Sequence, residues 1–226
     1  MRVATWNIHF GHGDTWGQAH EIASLGADVV LLQEAQTWDE YMPSTYPERL
    51  RQLTGQVWHT VWSGVGDPSC ASGCQGSLIM SRFPIVGSAA VMLNGTPGTW
   101  AAIDVGGVRL NVFNIHLEYY DTSKRSAQLL QFMDWTRQFG GPRLAGGDFN
   151  SWWGEWWIAQ METEYTDTWQ DVTGSEDGGF TLNHAVRFDY LFRSHNDSWR
   201  LTPTGSWVHW THLSDHGALV ADYTVR

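Results

Sequence analysis

Positive charge is scarce in this chain. Its 226 residues include 13 Lys or Arg against 24 Asp or Glu, for a net charge of −11. Affinity for a nucleic-acid backbone rests largely on Lys and Arg, which argues against a broad, passive coat on nucleic acid. An enzyme that recruits a divalent cation and touches phosphate at a few points is not excluded, because a bound cation inverts the local charge. Long apolar runs are missing too: none approaches the ~20 residues that span a bilayer as a helix. There is no low-complexity linker and no clear repeat. The opening MRVATWNIHF reads as a strand. It lacks the basic region, long apolar stretch and small-residue cleavage site of a secretory leader, as expected of a cytoplasmic chain or of one whose leader has been removed.

Cysteine is nearly absent. The pair Cys70 and Cys74 lies in SCASGC, and a zinc site wants four ligands, so this spacing alone does not make one. The neighbouring Gly and Ser allow a tight disulfide; two unpaired thiols are the other reading. A bridge across so short a loop removes little chain entropy, so its role would be local shaping.

What is present suits a sizeable core. Apolar residues make up 42% and charged residues 16%, a balance that argues against disorder and for one domain over residues 1–226. Val3–Asn7 reads as a strand, Trp16–Leu25 as a helix stopped by Gly26, and Ala27–Glu34 as a fully buried strand. A short helix is expected at Tyr46–Leu53, and a strand in VWHTVWSG. GSLIMSRFP and Ile85–Leu93 read as two strands with a turn at Pro84, and Gly106-Gly107 as the turn of a hairpin. Thr122 or Ser123 is expected to cap a helix reaching Gln138. Further strands are expected in PRLAGGD and near Val186–Phe192, Ser206–His209 and Ala218–Val225. Many strands, several hairpins and few helices predict an α+β fold, a mixed-sheet sandwich with helices outside. The hairpins require antiparallel pairs, which disfavours a purely parallel sheet.

Chemically competent residues recur where apolar strands end. VATW runs into Asn7, DVVLLQ into Glu34, RLNVFNI into His116 with Glu118 beyond, and PRLAGG into Asp148 with Asn150 two further on. VRF leads to Asp189, and Ser214-Asp215-His216 precedes the last strand. Any one of these has a structural reading, as a turn cap or a satisfied buried carboxylate. Together they suit a hard divalent cation plus acid–base chemistry.

TWNIH, LLQE, GSLIMSRFP, NIHLE, GGDFN, RFDYLF and SDH occur in that order along nearly the whole chain. This series resembles the endonuclease/exonuclease/phosphatase superfamily, the DNase I-like metal-dependent phosphodiesterases. The resemblance implies a four-layer α/β sandwich, two packed mixed β-sheets flanked by helices, with the active site at one edge. It implies that Glu34 is the principal ligand of Mg²⁺ or Mn²⁺, one ion or two, with Asn7 beside it and Asp215 completing the shell. Asp148 would orient or activate the attacking water, and Asn150 would donate its amide to a phosphate oxygen. His216, held by Asp189, would act at the scissile phosphate, and His116 would bind the phosphate or protonate the leaving group. A cation and neutral or cationic donors suit the added negative charge of the transition state. A carboxylate behind an imidazole fixes its tautomer.

Other residues follow from the same resemblance. Arg82 stands where DNase I-like nucleases contact backbone phosphate, although a surface Arg at a turn is an equal reading. His9 stands where several relatives carry Asp; it would bind phosphate or line the cleft. Gln36 replaces an Arg that often enters the minor groove. Glu118 is a candidate carboxylate partner for His116 by proximity. The SCASGC loop resembles a small disulfide loop of secreted DNase I-like enzymes and favours an extracellular setting. The expected activity is metal-dependent phosphodiester hydrolysis by a monomer, with DNA cut at low sequence specificity. The rivals are a lipid head group, tyrosyl-DNA ends, and a catalytically dead binding module, which the intact set of polar residues disfavours. Trp152, Trp153, Trp156 and Trp157 follow Asn150 directly. Asn150 or Ser151 is expected to cap a short helix with its positive end at the anion. Trp156 and Trp157 are expected in the core, and Trp152 and Trp153 either at the cleft or buried.

Overall fold

The computed structural model describes residues 1–9, 14–35, 42–64, 76–196 and 198–226. Gln36, Cys70 and Cys74, and with them the expected disulfide, lie outside the described residues.

The elements run β1 (Arg2–Asn7), α1 (Thr15–Leu25), β2 (Val29–Gln33), α2 (Met42–Thr54), β3 (His59–Gly64), β4 (Gly76–Ser81) and β5 (Ile85–Leu93). They continue through β6 (Thr96–Val105), β7 (Val108–His116), α3 (Thr122–Thr136), β8 (Arg143–Asp148), α4 (Trp156–Met161) and β9 (Tyr165–Asp167). The chain ends with α5 (Thr168–Thr173), β10 (Asp189–Ser194), β11 (Leu201–His209) and β12 (Ala218–Val225). Two six-stranded mixed sheets form, in the orders β11-β12-β1-β2-β4-β3 and β5-β6-β7-β8-β10-β9. Each has one parallel pair on the site side, β1 with β2 and β7 with β8.

Strand alternation builds the layers. Successive side chains leave a strand on opposite faces. Val29 and Leu31 therefore enter the core between the sheets with Val112, Leu144 and Leu191. Val30 and Leu32 instead pack with Ile22 of α1 and Leu50 of α2. In β7, Phe113 and Ile115 turn outward to Phe132 and Met133 of α3. Three apolar cores thus separate four layers, helix, sheet, sheet and helix. Full burial of each large aliphatic side chain favours folding by roughly 1.5–3 kcal/mol, so the edge where this pattern gives way to polar residues is held by its surroundings. Gly146 leaves no room for a side chain where the sheets pack. A Cβ there would lie 2.6 Å from Leu31 Cδ1 and 2.8 Å from Leu191 Cδ2.

Helix ends depart from the sequence expectation in two places. The cap of α3 is Asp121, whose carboxylate accepts from the backbone of Ser123 and Lys124 at 3.0 Å; neither Thr122 nor Ser123 is the cap. After Asn150 the chain makes a turn, and α4 starts only at Trp156 with Glu155 at its N-cap. Asn150 and Ser151 cap no helix, and no helix dipole points from them to an anion. No helix among the described residues is long and apolar enough to cross a membrane.

Candidate active site

Register brings the polar strand ends together. In one sheet, His116 stands opposite Asp148 across the parallel β7–β8 pair, and Asp148 stands opposite Asp189 across the antiparallel β8–β10 pair. Directly opposed residues share a face of the sheet, so the three side chains form one row. In the other sheet Asn7 stands opposite Gln33, with Glu34 next along the chain. Strict alternation would send Glu34 to the helix side with Leu32. A left-handed backbone at Glu34, φ 56°, accompanies the return of its carboxylate to Asn7.

Asn7 joins the two sheets. Its Nδ2 donates to Glu34 Oε1 at 2.9 Å and to Asp148 Oδ2 at 3.0 Å. The backbone N–H of Asn150 holds the other Asp148 oxygen at 2.8 Å. His116 Nε2 lies 3.5 Å from Asp148 Oδ2 and 4.0 Å from Glu34 Oε1. Asn150 Nδ2 donates to the carbonyl of Leu117 at 2.7 Å and lies 3.1 Å from His116 Nε2. His216 Nδ1 is 2.7 Å from Asp189 Oδ2, and its Nε2 is 3.9 Å from Asp148. Asp215 faces His9 Nδ1 at 3.3 Å. All of these except Asp189 line one cleft of about 360 Å³, together with Tyr119, Tyr120, Leu182 and Asn183. Of the six described non-glycine residues with positive φ, His9, Glu34, Asn150 and Asn183 line this cleft. Such backbone costs of order 1–3 kcal/mol per residue and persists at sites that need the geometry. A larger groove of about 710 Å³ runs along α2 past Trp16, Arg49 and Trp58, but holds no comparable convergence of acids, amides and imidazoles.

Burial sets the protonation of the histidine–aspartate pair. Burial alone lowers the His216 pKa, but the charge and hydrogen bond of Asp189, with Asp148 and Asp215 nearby, win and push it up to about 10. Burial also raises the Asp189 carboxyl, and the attraction of His216 works against that. The pair is best described as an imidazolium held by a buried carboxylate.

A cation fits beside it. Glu34 and Asp148 are both buried, and only histidines form ion pairs with them among the described residues. Glu34 Oε2 is buried with no hydrogen-bond partner. Two adjacent buried carboxylates without a full counter-charge are costly. One oxygen of Asp148, one of Asp189 and a nitrogen of His216 also lie within 4.8 Å of one another, but Nδ1 of His216 is already committed to Asp189. The unpartnered Glu34 oxygen is the stronger indication of a metal position.

Several expectations do not converge on the cleft. Arg82 lies at the wrong end of the sheet. Ser77 pairs with Gln33 near the site, whereas Ser81 pairs with Val29 at the far end, about 13 Å away at ~3.3 Å per strand residue. Arg82 binds Asp28 there, at 3.1 Å, so the turn reading replaces the phosphate contact. Glu118 does not reach His116: its carboxylate bonds Lys124 Nζ at 2.8 Å, which holds its pKa below the usual carboxylate range. His116 Nδ1 is buried without a partner. Trp152 and Trp153 are not among the residues lining the cleft. Trp156 is exposed rather than in the core, while Trp157 packs on the core of α3 and donates to Ser126 Oγ at 3.0 Å. Among the described residues the Phe, Tyr or Trp side chains at the cleft are Tyr119 and Tyr120, visible in the sequence as NIHLEYY immediately beyond a strand-end histidine but passed over there.

Comparison with known proteins gives the family of the chain. A sequence model of the Endonuclease/Exonuclease/phosphatase family matches residues 4–216. The chain belongs to that family. Within reach of it lies a UPF0294 protein of Vibrio cholerae, 34% identical over 205 residues that cover 85% of this chain and 68% of the relative. The human Nocturnin catalytic domain with a bound sulfate anion superposes with a TM-score of 0.79 at 18% identity, covering 100% of this chain and 94% of that one. The mannosyl-6-phosphatase of Bacteroides thetaiotaomicron superposes with a TM-score of 0.75 at 17% identity, covering 99% of both chains. The two-sheet architecture is therefore the DNase I-like sandwich of the Endonuclease/Exonuclease/phosphatase family, whose members are hydrolases that generally depend on divalent metal.

Proposed function

We propose that this chain is a divalent-metal-dependent phosphodiester hydrolase that cuts DNA internally with low sequence specificity. The observation that carries the reading is the bridge from Asn7 to both Glu34 and Asp148, which holds the carboxylate proposed for the metal beside a row of acid and base groups. Glu34 would hold Mg²⁺ or Mn²⁺, with Asn7 and Asp215 in the same cleft. When bound, the ion would offset phosphate charge and help stabilise the transition state.

The chain's own residues supply the remaining steps. Asp148, oriented by Asn7 and by the Asn150 N–H, accepts a proton as the water oxygen bonds to phosphorus. Asn150 Nδ2 and His216 Nε2 donate to the oxygens on which charge builds up. Asp189 keeps His216 in the tautomer and charge state that donates. His116 supplies the proton taken by the leaving oxygen as its bond to phosphorus breaks. Among the described residues the cleft lining contains no Lys or Arg, consistent with a grip on the scissile phosphate and with little reading of sequence.

The test is a substrate panel of plasmid DNA, single-stranded DNA, RNA, sphingomyelin vesicles and bis(p-nitrophenyl) phosphate, each with Mg²⁺, Mn²⁺ or EDTA. Nicking of plasmid that EDTA stops is the expected result. Turnover of the lipid without nicking would replace the DNA reading, and hydrolysis that survives EDTA would count against the metal.

A further inference from the structure

The segment from His116 to Asp121 is anchored at nearly every backbone group. Leu117 N–H donates to the Asp148 carbonyl at 2.9 Å, and Leu117 O accepts from Asn150 at 2.7 Å. Glu118 N–H donates to Gln128 Oε1 at 2.8 Å. Arg125 Nε donates to Glu118 O at 2.6 Å, and Arg125 Nη2 to Tyr119 O. Arg125 is itself buried, lies over the Trp157 ring at 4.7 Å and reaches Ser151 Oγ at 3.3 Å. The Glu118 carboxylate ties Lys124 to the Tyr120 N–H.

This fixed segment leaves its two largest rings in the open. Tyr119 is 49% and Tyr120 87% exposed. The rings meet edge to face, 4.7 Å apart at 85°, and Tyr119 is also 6.3 Å from Phe188. They gain little from folding. Both line the cleft that holds His116, Asp148 and Asn150. Among the described residues that lining holds no Lys or Arg, and its one imidazolium, His216, is committed to Asp189 and the scissile phosphate. Apolar and π surface is what the two tyrosines offer beyond the scissile phosphate, and a backbone already held in place lowers the entropy lost on binding. Aromatic side chains stack on any base, provided that the base offers its face. A base inside a duplex does not, because both faces are covered by its neighbours.

We propose that Tyr119 and Tyr120 form a stacking subsite for an unpaired nucleobase beside the scissile phosphate, so that the enzyme favours single-stranded or frayed DNA over intact duplex. The inference rests on the DNA reading above.

The experiment compares the full chain on three labelled substrates with Mn²⁺ or Mg²⁺: oligothymidylate, a strand of the same length built from abasic spacers, and the thymidylate in a duplex. The wild type is expected to show kcat/KM about tenfold or more higher on oligothymidylate than on the other two, the scale of one base stacked on an aromatic ring. In Y119A/Y120A that ratio falls towards one, mainly through KM. Y119F/Y120F, which keeps both rings, restores it. Trp199→Ala removes another exposed aromatic, outside this cleft, and keeps the wild-type ratio. If the wild type cuts all three substrates equally, or Y119A/Y120A keeps the full ratio, the subsite is overturned while the DNA reading stands. If the wild type cuts none of the three, the DNA reading fails and the subsite with it. Hydrolysis of sphingomyelin vesicles, lost in Y119A/Y120A, would then assign the two rings to a lipid surface.

Discussion

Gln33 Nε2 donates to Asn114 Oδ1 at 2.7 Å across the space between the two sheets. Gln33 also reaches Thr5 Oγ1, and Asn114 Nδ2 donates to the carbonyls of Leu32 and Leu78. All of these side chains are buried. The bonds rivet β2 and β4 to β7 one step behind the cleft, so they fix the spacing between Glu34 and the His116–Asp148 row. Replacing Asn114 by Leu leaves Gln33 and two carbonyls without their partner. Gln33 keeps Thr5 as a partner, and each unsatisfied buried carbonyl costs ~1–3 kcal/mol, so Asn114→Leu is expected to lower stability by about 2–6 kcal/mol and to reduce kcat. Urea denaturation checks the first part; a midpoint within error of wild type would remove the rivet from the account.

Asp148→Asn separates catalysis from stability. The amide keeps the size of the side chain but accepts no proton, so kcat is expected to fall by roughly 10²–10⁴, the range of general acid–base contributions. The same change removes one of two adjacent buried carboxylates. It also replaces one acceptor for Asn7 or Asn150 by a donor, so the two effects offset and in EDTA the variant should melt close to the wild-type temperature. Loss of activity accompanied by a large fall in that temperature would point to a folding role instead.

Metal binding should appear without any substrate. A ligand that binds only the folded state stabilises it by about 2.7 kcal/mol at 100 times its Kd. Mn²⁺ or Mg²⁺ is expected to raise the melting temperature of the wild type, and Glu34→Gln to abolish the rise. An undiminished shift in the variant would move the ion away from Glu34.

The histidine–aspartate pair predicts a pH dependence for the metal-free protein. The folded pKa of His216 lies above its ordinary 6.5, at about 10. A raised histidine contributes stability that is fully present below 6.5 and lost as pH rises through 10. In EDTA the stability difference between wild type and His216→Gln is expected to narrow between those values. A constant difference across that range would mean that the imidazole is neutral in the folded state.

Two tryptophans should behave differently despite their shared segment. Trp157 packs on the core and supports Arg125, so Trp157→Ala is expected to cost about 1–3 kcal/mol, less than the 3–5 of a fully buried Trp. Trp152 is half exposed, and Trp152→Ala should stay within about 0.5 kcal/mol, as surface changes do. Chemical denaturation of the pair decides it; equal costs would contradict the packing described.

The strand-end polar residues were legible because each interrupts an apolar run. Asn7, Glu34, His116 and Asp148 end runs that alternation buries on both faces, and a polar group there needs a reason. Arg82 misled because SRFP also ends a strand, but β4 runs antiparallel to β2 and carries it to the opposite edge. The tryptophans misled because helical spacing was assumed from Asn150, where the backbone is left-handed and the helix begins later. Tyr119 and Tyr120 carried no periodic signal; only their anchored backbone and shared cleft mark them.

Sequence alone determined the local terms, namely which segments alternate, where chemistry-bearing residues interrupt them, and how few cations are available for phosphate. Those follow from side-chain size, polarity and charge, which act at short range. Tertiary structure decided which ends share an edge. Strand direction and register placed Asp148 between His116 and Asp189, and packing of one sheet on the other brought Asn7 to Asp148. These are contacts between residues up to 141 positions apart, and no local propensity encodes them.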